Sequence, residues 1–190
     1  MPNEVNRPLT AMSKEILFHT TFAHETSKTW VVFVHGAGGS SAIWFRQLKA
    51  YKKEYNVLLL DLRGHGKSNN LVQNFVDNNY SFNNVSRDII DVLDHNNITS
   101  AHFVGISLGT ILIRNIAEIA PQYVSSMVLG GAVTRFNTRS NTLVYLGNTF
   151  KHFLPYMWLY RLFAFIMMPK KRHKESRLLF VREAKRLCQK

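Results

Sequence analysis

Between a short apolar run, Ala101 to Val104, and an unbroken helical pattern carrying Leu108, Ile111, Leu112, Ile116 and Ile119 stands the pentapeptide Gly105-Ile106-Ser107-Leu108-Gly109. A chain that passes from strand to helix in so few residues holds the serine on a sharp turn, with its hydroxyl exposed above the sheet. The flanking glycines leave room for the backbone to approach itself, and the new helix aims its first N–H groups and positive end at the same point. The bland alternative is a tight backbone turn with Ser107 as an incidental N-cap. The layout of the other segments decides between the two.

Trp30 to Val34 is a short continuous apolar run, the pattern of a strand buried on both faces, and Tyr55 to Leu60 and Val124 to Leu129 are further buried-strand candidates. Glu15 to His19 and Thr21 to Ala23 are weaker strand patterns. Ala42 to Lys53 has helical spacing, with Ile43, Phe45, Leu48 and Tyr51 near one side. Ser81 is a good N-cap for a helix that turns Val85, Ile89, Val92 and Leu93 to a core and fades at His95-Asn96-Asn97; Pro121 closes the helix after the pentapeptide. Alternating strands and helices predict an α/β fold, a mainly parallel sheet with helices on both faces.

A length of 190 residues, 46% of them apolar, suits one globular domain with a substantial core. The lone Cys188 excludes a disulfide scaffold, and MPNEVNRPLT lacks the apolar core of a signal peptide, so a cytoplasmic setting is expected. The net charge of +12 is uneven. Residues 1–134 hold 11 Lys and Arg against 10 Asp and Glu, whereas residues 135–190 hold 13 against 2, which divides the chain into a near-neutral core and a basic, aromatic segment. No nucleic-acid motif accompanies the basic stretch, so no nucleic-acid partner is expected. Nucleotide loops fail by one residue each: a P-loop ending at Gly66-Lys67-Ser68 meets Asp61 where it needs glycine, and a dinucleotide loop starting at Gly36 meets Ser41.

Acyl transfer needs N–H donors waiting for a developing oxyanion. The N–H of Leu108 is one, and His35-Gly36-Ala37-Gly38-Gly39, following an earlier buried strand, is placed to give a second. VVFVHGAGG, LLLDLRGHGKS and FVGISLGT stand in the order and at the separations of the α/β-hydrolase superfamily, which the chain resembles from about Glu15 to Val133. The resemblance, of the serine esterase and lipase type, implies Ser107 as nucleophile and Ala37 and Leu108 as oxyanion-hole donors. It implies hydrolysis of a small-molecule carboxylic ester, acylglycerol or aryl esters among them, through an acyl-serine, with no cofactor and no metal. Asp61, Arg63 and His65 are expected to tie their loop together near the site.

The superfamily's acid and base follow the nucleophile in chain order. All five aspartates here, Asp61, Asp77, Asp88, Asp91 and Asp94, precede Ser107. After it come only Glu118, Glu175 and Glu183, and only His152 and His173. Glu118 falls within a helix and His173 within the charge run KKRHKE, so neither base nor acid is assigned. The six strand candidates fall short of about eight that the resemblance implies, so the fold is expected to be incomplete at the C-terminus. Residues 135–190 then read as a helical cap in which Phe153 to Met168 lines an acyl pocket. The same segment with KKRHK also suits an interfacial helix on anionic lipid, a peripheral membrane contact, or an exposed remnant. A non-catalytic, hydrolase-like chain that binds a lipid surface or a partner through its basic tail is the alternative function.

Overall fold

Val31, Val32, Phe33 and Val34 are all buried, and neighbouring side chains on a strand point to opposite faces, so this run has protein on both sides. The computed structural model describes residues 16–71, 81–132 and 155–185, with Tyr145 and Thr149 between the last two stretches. Within them the strands are β1 (His19–Phe22), β2 (Trp30–Val34), β3 (Asn56–Leu60), β4 (Ala101–Ile106) and β5 (Val124–Gly130). They form one sheet in the order β1-β3-β2-β4-β5, parallel throughout except for the antiparallel β1.

The two faces of the sheet bury alternate residues. Val32, Val34, Leu58, Leu60 and Phe103 meet α2 (Phe82–His95), through Ile89 and Leu93, and α3 (Leu108–Ile119), through Leu112 and Ile116. Val31, Phe33, Val57 and Leu59 face the other way, onto a 3-10 turn at Ser41–Trp44 and α1 (Phe45–Tyr51). There the Phe33 ring packs 5.0 Å from that of Trp44 and edge-on to Tyr51. The expected mainly parallel sheet with helices on both faces is therefore what forms. Ser81 caps α2 as expected, accepting the Asn84 N–H at 3.2 Å.

Several details differ from the sequence reading. The two weak N-terminal patterns give one described strand, β1, because only His19–Phe22 lies alongside β3; Glu15 is outside the described residues. The helical pattern from Ala42 splits into the 3-10 turn and the short α1. β5 is not buried on both faces: Met127 is 41% and Val128 58% exposed. An apolar run signals a strand but not its neighbours, and β5 is the edge of the described sheet, paired with β4 alone.

The division at 134/135 falls outside the described residues, as do His152, Phe153 and Cys188. Beyond it stand α4 (Tyr156–Met167), a 3-10 turn at Lys171–His173, and α5 (Lys174–Ala184). Arg177 of α5 donates to the carbonyls of Met168 and Lys170, and the rings of Tyr160 and Phe180 lie 5.7 Å apart. No helix among the described residues is long and apolar enough to cross a membrane.

Candidate active site

Ser107 sits between the last residue of β4 and the first of α3, with φ +51° and ψ −116°. Such a conformation costs a non-glycine residue about 1–3 kcal/mol and persists only where the surroundings impose it. They do so from both sides. The Ser107 N–H donates to the Gly130 carbonyl at 3.0 Å, and its own carbonyl accepts the Thr110 N–H at 2.9 Å and the Thr110 hydroxyl at 2.6 Å. A Cβ on Gly109 would lie 2.3 Å from the Val34 carbonyl oxygen, and one on Gly105 would lie 2.4 Å from Ile113 Cδ1. Only glycine lets α3 start this close to the ends of β2 and β4.

The loop after β2 crosses in front of this turn. A Cβ on Gly36 would be 3.1 Å from Ser107 Cβ, which measures how closely the loop and the serine pass. Leu108 opens α3, so its N–H has no acceptor within the helix, and Ala37 follows the Gly36 contact directly.

Two buried histidines and an aspartate hold the loop's shape. His35 Nε2 accepts the Leu62 N–H at 2.9 Å while its Nδ1–H donates to the Gly36 carbonyl at 2.8 Å. His65 Nε2 accepts the Gly38 N–H at 3.1 Å while its Nδ1–H donates to the Arg63 carbonyl at 3.0 Å. Because a backbone amide can only donate, both rings are assigned as the neutral Nδ1–H tautomer. Burial pushes His35 down to about 4, helped by neighbouring His65 and opposed by the Gly36 hydrogen bond and by Asp61. Burial also lowers His65, against its Arg63 hydrogen bond and Asp61. Asp61 accepts the Ser41 N–H at 2.6 Å and the Lys67 N–H at 2.8 Å, and Arg63 forms a two-pronged pair with Asp88 at 2.6 and 2.8 Å. With both ring nitrogens engaged by the backbone, His65 is a tie between loops and is not available as a base.

Helices α4 and α5 reach the same loop through two contacts with no sequence signal. Tyr160 of α4 lies over Gly38, whose φ is +74° and where a Cβ would come 2.9 Å from the Tyr160 ring. The hydroxyl of Ser40 donates to Glu183 of α5 at 2.7 Å, with both residues buried. On α4, Trp158, Leu162, Phe165 and Ile166 are exposed.

The acids and histidines that follow Ser107 lie elsewhere. Glu118 is exposed on α3; Glu175 is exposed and 3.6 Å from Arg46; His173 is in the turn between α4 and α5. Among the described residues no histidine or carboxylate is hydrogen-bonded to the Ser107 hydroxyl, and no group of three or more His, Cys, Asp or Glu could hold a metal ion.

The family described as alpha/beta hydrolase fold matches residues 29–159. Among curated proteins, 3-oxoadipate enol-lactonase 1 of Acinetobacter baylyi is 39% identical over 79 residues, covering 42% of this chain and 27% of its own length. Epoxide hydrolase 4 of Homo sapiens is 30% identical over 112 residues, 59% of this chain and 30% of its own. The matched part is thus under a third of either relative. Among solved structures, the esterase EaEST from Exiguobacterium antarcticum superposes with a TM-score of 0.73 at 18% identity, over 90% of this chain and 64% of that one. Est816, described as an N-acyl homoserine lactone degrading enzyme, superposes with 0.70 at 20% identity, over 88% and 61%. At such identities the likeness to the two structures is one of fold.

Proposed function

The chain belongs to the α/β-hydrolase fold family, and from that premise we propose that it carries the nucleophile and oxyanion-binding parts of a hydrolase that cleaves carboxylic esters through an acyl-Ser107 intermediate. The observation that carries this is the forced φ of +51° at Ser107, at the start of a helix and in contact with the Gly36 loop. Attack of the Ser107 oxygen on an ester carbonyl places negative charge on the carbonyl oxygen, beside the N–H groups of Leu108 and Ala37. One such donor is worth about 2.7–4 kcal/mol in the transition state. The ester C–O bond then breaks, the leaving alkoxide taking up the proton that the Ser107 hydroxyl lost, and water cleaves the acyl-serine to give the acid and restore the hydroxyl. The printed names of an enol-lactonase, an esterase and a lactone-degrading enzyme support an acyl–oxygen bond in a small molecule, open-chain or cyclic, as the target. In this reading residues 1–134 are the catalytic core and residues 135–190 the cap over it.

A second reading, a non-catalytic chain of hydrolase-like fold that binds a lipid surface or a partner, is favoured by the lack of a base or acid bonded to Ser107 among the described residues. Members of a triad act as a unit, and losing the base costs roughly six orders of magnitude in turnover. A fluorophosphonate probe separates the two. Labelling of the protein that disappears in Ser107→Ala supports the hydrolase; equal labelling of both removes Ser107 as nucleophile, and no labelling of either favours the second reading.

A further inference from the structure

Trp158, Leu162, Phe165 and Ile166 recur at the spacing of one helix face, and all four are more than half exposed on α4. The opposite face holds α4 in place, with Ala164 buried and Tyr160 against Gly38. Beside the exposed stripe, α4 and α5 enclose an open groove of about 690 Å³ whose apolar wall is Ala164, Phe165, Leu178 and Val181. Its other lining residues are all cationic: Arg161, Lys174, Arg177, Arg182 and Lys185. Residues 156–185 contain eight Lys and Arg against two Glu. Glu183 is buried, bonded to Ser40 and 3.7 Å from Arg182, and Glu175 is paired with Arg46. Arg161, Lys174 and Lys185 form no ion pair with a described carboxylate.

We propose that the outer face of α4 and the α4–α5 groove are a docking surface for an anionic lipid bilayer, with Trp158, Leu162, Phe165 and Ile166 among the acyl chains and Arg161, Lys174 and Lys185 at the phosphates. Three features select a membrane over a soluble amphiphile or a protein. The apolar stripe extends beyond the groove, so one bound molecule would leave most of it in water. The groove is open along one side, as a flat partner requires. The rim carries a single sign of charge, whereas a protein partner of mixed charge would find repulsion as often as attraction. Both arms of interfacial binding are present, apolar insertion and attraction to anionic headgroups. The surface deepens the lipid part of the second reading above, yet it does not depend on whether Ser107 is catalytic, since it lies on the cap.

The full chain should co-sediment with vesicles containing 30 mol% phosphatidylglycerol in phosphatidylcholine and remain in solution with phosphatidylcholine alone, and salt should weaken the binding. Each cation near a charged bilayer contributes about five-fold in partitioning, so the triple variant Arg161→Gln/Lys174→Gln/Lys185→Gln should bind about a hundred-fold more weakly. Phe165→Ser/Leu162→Ser should lose binding that high salt leaves intact. All these side chains are exposed, so folding is preserved and is checked by circular dichroism. Ser107→Ala should bind as the unaltered chain does, which separates failure of the surface from failure of the catalytic reading. Equal binding to neutral vesicles, or full binding by the triple variant, overturns the proposal. So does a dimer that the same variants dissociate without any vesicle binding, which would give the surface to a second copy of the chain.

Discussion

β4 delivers Ser107 between two parallel neighbours that differ sharply in burial. On one side β2 is buried on both faces, and the loop that follows it is pinned by His35, His65 and Asp61 and covered by Tyr160. On the other side β5 shares only its hydrogen-bonding edge with β4, and Ser125 to Val128 are exposed. The loop that carries Ala37, proposed above as an oxyanion donor, belongs to the closed side, where His35 and His65 bond its backbone at Gly36 and Gly38. From the open side, among the described residues, the Gly130 carbonyl accepts the Ser107 N–H. Preorganised donors require a fixed frame, and most of the contacts that fix the loop beside Ser107 come from the β2 side. Stability and site geometry should therefore be sensitive to substitutions there and tolerant of them along β5.

The largest expected effect is on His35. Its ring must be neutral to accept the Leu62 N–H, and its folded value of about 4 lies below the usual 6.5. The unfolded chain therefore takes up this proton first as the pH falls. The neutral ring's contribution is complete above about pH 6.5 and is lost progressively towards pH 4, a change of about 3 kcal/mol. Urea unfolding at pH 7 and pH 4, compared with His35→Gln, reads it: the advantage of the unaltered chain over the variant should shrink by that amount. A difference between the two proteins that stays constant with pH would show that the ring is not held neutral and that the closed side is less rigid than described.

The turn at Ser107 was legible in sequence because it needs a local pattern, two glycines at fixed offsets between an apolar run and a helix. The β2 and β3 strands were legible for the same reason, since burial on both faces leaves no room for polar residues in VVFV or VLLL. The apolar letters of β5 misled, because Val124, Met127, Val128 and Leu129 read alike whether or not anything packs over them. Contacts between residues far apart in the chain left no mark at all. Nothing in RLLFVREAK announces that Glu183 is buried against Ser40, 143 positions earlier. An acid near the end of a basic helix was the cue, and like Glu175 at the other end it reads as readily as a surface charge.

The Ser40–Glu183 pair tests whether the closed side includes α5. A hydrogen bond to a charged group contributes about 1.5–3 kcal/mol, and removing one partner leaves the other buried. Ser40→Ala should therefore cost about 2 kcal/mol, appearing as faster hydrogen exchange in residues 36–44 and as earlier protease cleavage of α5. Glu183→Gln retains an oxygen acceptor and should recover part of the loss. If both variants exchange like the parent in the 36–44 segment, α5 rests on the loop without restraining it, and the closed side ends at His65.

The smallest effect closes the comparison between the strands. Val32 is fully buried on β2 and Val128 is 58% exposed on β5, two residues of one type on strands that both pair with β4. Truncating the first removes two methyl groups from a packed interior and leaves a cavity that its neighbours fill only in part, at about 2 kcal/mol. Truncating the second removes surface that water already reaches and should change stability by under about 0.5 kcal/mol. Urea midpoints of Val32→Ala and Val128→Ala measured side by side give the contrast directly. Equal losses would mean that β5 is covered in solution by chain or by a second molecule, and the open side of Ser107 would then have a wall from which an acid or a base could be supplied.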